Sequence, residues 1–248
     1  HALTDVAGLT DTLKNFWKTH LEIPKGGGNW GANRKLQLIK SAKAILIDHF
    51  SKKDDALSRR IEESETEFNI RLHMALTETA SFELKQGFTR LSDPTHFDDN
   101  MFRKVLRTAS AMANAGPRAE GFIYFGVADD ADDADSIRRM AGVEPISIAD
   151  FFVTGTGHEI ERLGHTMDSF TRLLSDKIKS SDLEPEFSSK LAGSLTPFRY
   201  KNYVIWSLHP QSIGRPTAWE EAFYVREGNS TNKVPVNKIA DLFRRFQV

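Results

Sequence analysis

The stretch that most constrains the fold is GFIYFGV, residues 121–127, an uninterrupted apolar run with a glycine near each end. Neighbouring side chains of a strand point to opposite sides of a sheet, so a strand that is apolar at every position is covered on both faces. The run therefore predicts a central strand with packed elements on either side of it.

Alternating strands and helices surround this run from about residue 77 onwards. Strands are predicted over 80–86, 202–210 and 222–228, and helices over 101–115, 165–179 and 236–246. The stretch TRLSDPTHFDDN is predicted as a loop whose last Asp and Asn residues suit a helix N-cap. The predicted fold class is α+β, a mixed or antiparallel sheet with packed helices.

The first 76 residues differ in pattern, and we predict a helical N-terminal section over 1–76 in front of a core over 77–248. Helices are predicted over 3–22, 33–50 and 55–76. The stretch PKGGGNWG has the spacing GxGxxG, but the dinucleotide fingerprint needs a preceding strand, and HLEIPK is a poor one. The glycines near 25–31 are therefore predicted to form a flexible linker.

Composition restricts the classes of partner and compartment. The net charge is −1, so a nucleic-acid partner requires a local basic patch rather than a basic chain. The absence of cysteine excludes disulfides and thiolate zinc sites and fits a reducing compartment. No apolar run approaches the roughly 20 residues of a membrane span, and HALTDVAGLT lacks a cationic apolar leader. We therefore expect a cytoplasmic protein without a membrane partner.

Two stretches resemble metal-binding motifs but lack the spacing or the residues that those motifs require. In HEIERLGH the second histidine follows the first by seven residues, whereas the helical zinc-protease motif needs four. The acidic run DDADDAD lacks the Gly and the final Glu of a calcium loop. We interpret Asp132, Asp133 and Asp135 as a solvated acidic loop, whereas Asp129 directly follows the apolar strand, where a side chain can enter a cleft.

A second set of charges lies in ETASFELK, residues 78–85. Strand alternation places Glu83 and Lys85 on one face, and Glu78 and Asp129 complete a set of three carboxylates. Oxygen-rich clusters suit Mg²⁺ or Mn²⁺ and phosphoryl-transfer chemistry. The alternative is a surface ion pair on a half-exposed sheet, worth almost nothing.

This set has a geometric condition. Glu78 and Glu83 are five positions apart, so on one regular strand they would face opposite sides. The chain must therefore bend or bulge within the small residues TAS for both to reach one site.

Four stretches resemble the Alba-like core domain of the Schlafen family, in the right order across residues 77–246. ETASFELK is similar to the E-S-x-x-x-E-F-K signature, with Thr79 for Ser and Leu84 for Phe. LRTASAMANAG is similar to the helix that ends in A-x-A-N. GFIYFGVADD is similar to the G-x-L-x-x-G-V-x-D strand, and AFYVREGNSTNKVP to the terminal Y-x-R-x-G-x-S segment.

The resemblance implies RNA binding and, for some members, endonuclease activity on transfer RNA and ribosomal RNA. It implies that Glu78, Glu83 and Asp129 form the three-carboxylate site, with Asp130 as the alternative third member. The family's cysteine–histidine zinc site is absent here, since the chain has no cysteine. The animal members have two related lobes and this chain has one, so we expect a homodimer.

Three functions remain open at this point. The first is an endoribonuclease dependent on Mg²⁺ or Mn²⁺ that cleaves structured RNA such as tRNA, as a defence or toxin-like effector. The second is a non-catalytic DNA- or RNA-binding regulatory module. The third is a metal-dependent deoxyribonuclease, because a strand with E-x-K also resembles restriction-type nuclease cores. In each case we expect phosphate contacts from local cations, which besides Lys85 are Arg103, Lys104, Arg107 and Arg226.

Overall fold

The computed structural model describes residues 2, 3, 5–19, 46, 49–51 and 56–247. The chain divides into two compact units, His1–Arg60 and Ile61–Val248. In the first unit, helix α1 (Val6–Thr19) agrees with the predicted helix, and β1 (Ala2–Leu3) pairs antiparallel with β2 (Phe50–Ser51). Phe50 was predicted to end a helix and lies in this pair instead. Most of that helix and the glycine-rich linker lie outside the described residues.

A four-stranded sheet forms the centre of the second unit. Its strands are β3 (Phe82–Lys85), β6 (Phe122–Phe125), β10 (Thr196–Tyr200) and β11 (Tyr203–Leu208). Their order is β10-β11-β6-β3; β3 and β6 are parallel and the other pairs antiparallel. All four residues of β6 are buried, as the apolar run predicts, and β3 lies at an edge.

Helices cover both faces of this sheet. The described helices that follow α1 are α2 (Ala56–Met74), α3 (Asp99–Ala113), α4 (Ala131–Ala141), α5 (Gly157–Arg162), α6 (Met167–Lys179), α7 (Pro185–Ser194) and α8 (Ile239–Arg244). On one face, Ile123 and Phe125 pack with α3, α6 and α7. On the other face, Phe82 and Tyr124 pack with Phe68 of α2. The alternation along β6 therefore supplies both apolar layers, whereas β3 contributes Phe82 and Leu84 to one layer and carries Glu83 and Lys85 on its other side.

Three smaller sheets complete the unit. They are β4 (Thr89–Arg90) with β5 (Asp93–Phe97), β7 (Val127–Ala128) with β9 (Phe151–Val153) and β8 (Ile146–Ile148), and β12 (Ala218–Trp219) with β13 (Ala222–Glu227) and β14 (Ser230–Lys233). Residues 89–97, predicted as a loop, form the β4–β5 hairpin. The N-cap that follows is confirmed, since the Asp98 side chain accepts the Met101 N–H at 3.0 Å. The α+β fold class is confirmed as well.

The predicted strand 121–127 is interrupted at Gly126. This residue has φ +101°, and a Cβ atom there would lie 2.9 Å from Cα of Gly155, so a side chain would force the two segments apart. The Gly126 N–H donates to the carbonyl of Lys85 at 2.8 Å, next to the end of β3. The break turns the chain out of the sheet and carries Asp129 past that same end. Among the described residues, no helix is long and apolar enough to cross a membrane.

Candidate functional site

A tight turn brings Glu78 and Glu83 side by side. Thr79 and Phe82 pair antiparallel, with N–H to carbonyl distances of 3.0 and 3.3 Å in the two directions. Glu78 and Glu83 directly flank this pair, so the chain reverses over Ala80 and Ser81. This is the bend within TAS that the spacing of the two carboxylates requires.

Lys85 lies between the two carboxylates. Its Nζ is 2.6 Å from Oε1 of Glu83 and 3.9 Å from Oε1 of Glu78. The Glu78 carboxylate also accepts the backbone N–H of Leu84 at 2.8 Å, which holds it against β3. The side chains of Glu83, Glu78 and Lys85 are 10%, 18% and 27% exposed, so these charges are largely removed from water. They do not form a solvated surface pair.

Arg226 of β13 occupies the other oxygen of Glu83. Its Nη1 is 2.5 Å from Oε2 of Glu83, and its Nη2 donates to the carbonyl of Thr79 at 3.0 Å. The Arg226 side chain is only 2% exposed. The structure therefore places it as a partner of Glu83, away from the solvent-facing position expected of a phosphate contact.

The environment of Glu78 is unfavourable for its charged form. Burial raises the pKa of this carboxyl, the Leu84 N–H lowers it, and the charge of Glu83 raises it again. Smaller effects come from Lys85, which lowers the pKa, and from Asp129, which raises it. Asp129 is thus within electrostatic range of Glu78.

Asp129 also belongs to a compact acidic group. Carboxylate oxygens of Asp129, Asp130 and Asp133 lie within 4.8 Å of one another, and among the described residues no other trio of His, Cys, Asp or Glu meets this distance. Asp130 is the N-cap of α4 and accepts the Asp133 N–H at 2.7 Å. Asp129 forms no hydrogen bond or ion pair with another described residue. Asp129 and Asp130 are the two alternatives for the third carboxylate. One oxygen of Asp130 is used to cap the helix, whereas the Asp129 carboxylate has no such hydrogen bond.

The interpretation of Asp132, Asp133 and Asp135 as part of a solvated loop is wrong, because these residues lie in a helix. Residues 131–141 form α4, which places Asp132 and Asp133 in its first turn, where the helix dipole favours negative charge. Partial burial raises the pKa of Asp133, and the charges of Asp130 and Asp129 raise it further. The spacing of Asp130 and Asp133 matches a cap followed by its third helical residue, and this signal could have indicated the helix.

The expected phosphate contacts on α3 differ in availability. Arg103 pairs with Glu220 and, at 3.1 Å, with Asp182. The Arg107 guanidinium lies 5.3 Å from the centre of the Tyr224 ring. Lys104 is exposed and forms no ion pair with another described residue. It is the member of this set that is most available to a nucleic acid.

Residues 78–235 match the family model described as Schlafen, AlbA_2, which is more than half of the chain. The chain belongs to this family, as the four sequence stretches predict. The matched region begins at Glu78 and includes Lys85, Asp129 and Arg226. Membership supports a nuclease or a nucleic-acid-binding role and is compatible with a divalent metal ion.

The chain also resembles solved structures, one of which is that of the DIP2311 protein from Corynebacterium diphtheriae. DIP2311 is 13% identical, with a TM-score of 0.37, over 71% of this chain and 31% of that one. The chain therefore spans less than a third of the length of that protein. None of the curated proteins matches the chain.

Proposed function

We propose that this chain is a divalent-metal-dependent endoribonuclease that cleaves structured RNA such as tRNA and acts as a defence or toxin-like effector. The observation that carries the proposal is the convergence of Glu78 and Glu83 on Lys85 at the edge of the sheet, within electrostatic range of Asp129. A pure binding surface has no need for three carboxylates near phosphates that they repel.

The donor set fits Mg²⁺ or Mn²⁺. Asp129, Asp130 and Asp133 supply closely spaced carboxylate oxygens, and Glu78 adds a carboxyl whose raised pKa a nearby cation would lower. Asp129 is the member common to the acidic group and to the family's three-carboxylate site. Such an ion, when bound, polarises a phosphate and lowers the pKa of a coordinated water.

Lys85 has a different role in this proposal. Its side chain is 27% exposed, more than either glutamate side chain, so it is the most accessible of the three to a substrate. It would hold a non-bridging phosphate oxygen as negative charge develops there during cleavage. Lys104 and Arg107 on α3 would contact the flanking phosphates, so RNA affinity falls steeply with salt.

The test compares carboxylate variants on labelled tRNA, single-stranded RNA and duplex DNA, with EDTA and Mn²⁺ add-back. Glu83→Gln and Asp129→Asn should each lower the cleavage rate on the order of 100-fold, because they remove a charge that the site requires. Asp132→Asn is the matched control, since it is an exposed residue of the same acidic run and is absent from the acidic group. Undiminished cleavage in Glu83→Gln or in EDTA would refute the mechanism.

A non-catalytic nucleic-acid-binding module is the second candidate, and one observation favours it. Both oxygens of Glu83 are paired with cations, so in such a module this carboxylate would organise the sheet edge without binding a metal ion. Salt-dependent binding without cleavage of any of the three substrates would establish this module. Cleavage of the DNA alone would establish a deoxyribonuclease.

We also propose that two copies form the nucleic-acid groove, as a homodimer with two-fold symmetry, the commonest oligomeric symmetry. The support is that the chain contains one lobe of the kind that animal members have in two. Sedimentation equilibrium at micromolar protein should give twice the chain mass of 28.0 kDa without RNA, and that mass plus the mass of the bound RNA when RNA is present. A strict monomer under both conditions would contradict it.

A further inference from the structure

We infer that Arg226 is a positioning residue, whose buried guanidinium fixes the Glu83 carboxylate and the turn at residues 79–82 without touching the substrate. The inference rests on the proposed function, because it assigns a role within that same site. It replaces the expectation that Arg226 contacts phosphates.

The guanidinium group of Arg226 forms its hydrogen bonds with the protein itself and not toward solvent. Nη1 bonds Glu83 and Nη2 bonds the carbonyl of Thr79. Nε is buried and has no hydrogen-bond partner among the described residues. With 2% of the side chain exposed, a phosphate could reach the guanidinium only after these contacts were broken.

The backbone that carries Arg226 is itself held in place. Arg226 lies opposite Thr231 in the β13–β14 pair, and the Thr231 and Thr108 hydroxyl oxygens are 3.1 Å apart, which ties this pair to α3. At the end of α3, the buried Asn114 amide donates to the carbonyls of Tyr224 and Thr217, both at 2.9 Å. The guanidinium is therefore presented to Glu83 from a fixed support.

The site needs this support because β3 is short and lies at a sheet edge. Without Arg226, Lys85 would be the only cation on Glu83, and a single ammonium does not define the orientation of a carboxylate. A planar guanidinium bonds two acceptors in fixed directions. Lysine at position 226 could bond one of these acceptors, so it should restore part of the function.

The experiment measures rate and affinity separately in the full chain, with Arg226→Gln, Arg226→Lys and Lys104→Gln. At saturating tRNA and Mn²⁺, Arg226→Gln should lower the single-turnover cleavage rate by about 100-fold, with Arg226→Lys intermediate. Its RNA Kd should stay within about twofold of wild type, with an unchanged salt slope, whereas Lys104→Gln should weaken binding and reduce that slope. Thermal melts establish that each variant is folded.

A readout without cleavage separates this inference from the proposed function. Hydrogen exchange of the amides in residues 78–85 should be faster in Arg226→Gln and unchanged in Lys104→Gln. Of these two residues, Arg226 donates a hydrogen bond to the turn, at the carbonyl of Thr79, and Lys104 does not. If the parent cleaves no substrate, the proposed function fails and the exchange data alone decide the inference. Unchanged exchange in Arg226→Gln, or a loss of RNA affinity and salt slope equal to that of Lys104→Gln, would overturn it.

Discussion

At the scale of single residues, the candidate site is a balance of charges. Glu78 and Glu83 are matched by Lys85 and Arg226, so these four side chains together carry no net charge when ionised. A polyanion can approach such a group without net repulsion. Within the described part of the chain, the acidic group of Asp129, Asp130 and Asp133 forms no ion pair with a cation, and this is where the proposed divalent ion would bind.

His158 provides a prediction about pH. Burial, and to a smaller extent the charge of Arg162, lower the pKa of His158 from 6.5 to about 4. Between these values the unfolded chain binds the proton and the folded chain does not, so the free energy of unfolding falls as the pH drops from about 6.5 to about 4.

The check is thermal unfolding of wild type, His158→Gln and His96→Gln between pH 7 and pH 4.5. The melting temperature of wild type and of His96→Gln should fall more steeply with acid than that of His158→Gln. His96 is the matched control because its side chain is 78% exposed. Equal slopes in all three proteins would contradict the assignment to His158.

At the scale of secondary-structure elements, Glu159 joins α5 to the segment that follows β3. Its buried carboxylate accepts the backbone N–H groups of Phe88 at 2.8 Å and Thr89 at 3.0 Å, and the Thr89 hydroxyl at 2.5 Å. A Cβ atom at Gly87 would collide with this carboxylate, so glycine is required by the close approach. Together with Arg226, which bonds the turn at the other end, Glu159 fixes β3 and with it the position of Lys85.

Glu159→Gln should therefore destabilise the fold although it preserves shape. Glutamine offers one acceptor oxygen in place of two and turns an NH₂ donor toward N–H donors, which leaves a buried group unpaired. The expected loss in the free energy of unfolding is about 2 kcal/mol. Urea unfolding measures it, with the exposed Glu161→Gln on the same helix as a control that should change by less than about 0.5 kcal/mol. A loss no greater than that of the control would show that the three hydrogen bonds are not needed.

At the scale of the whole molecule, the second unit begins well before the predicted boundary at residue 77. Phe68 and Leu72 of α2 are fully buried, and the Phe68 ring lies 5.0 Å from that of Tyr124 and 5.2 Å from that of Tyr200. The Tyr200 hydroxyl also donates to the Asn69 side chain at 3.0 Å. This half of α2 is a layer of the core and not part of a detachable section.

Truncation tests this boundary. A fragment over 61–248 should unfold cooperatively, because it keeps the α2 residues that cover the sheet. A fragment over 77–248 should lose the cooperative transition or bind a hydrophobic dye, since Phe82, Tyr124 and Phe198 would face water. Calorimetry and dye fluorescence provide the measurements. Equal melting behaviour of the two fragments would place the boundary at 77 after all.

The features that the sequence determined by itself are local. The apolar run at 122–125, the amphipathic α3 with its Asp98 cap, and the family signature around Glu78 and Glu83 are each defined by neighbours in the chain. Patterns of this kind are readable because side-chain periodicity reports which face of an element is buried. The strands β8 and β9 were not predicted, since three residues each carry too little periodicity to separate them from loops. The helix α4 was not predicted because its acidic first turn was interpreted as a solvated loop.

The tertiary structure alone decided which charges meet. Arg226 and Glu83 are 143 positions apart, and no local pattern distinguishes an arginine that holds a carboxylate from one that faces solvent. The same holds for Asp133, which α4 turns toward Asp129, and for Phe68, which packs on the sheet because of where α2 lies. Burial and ion pairing depend on which segments fold together, and the chain order does not contain that information in any short stretch.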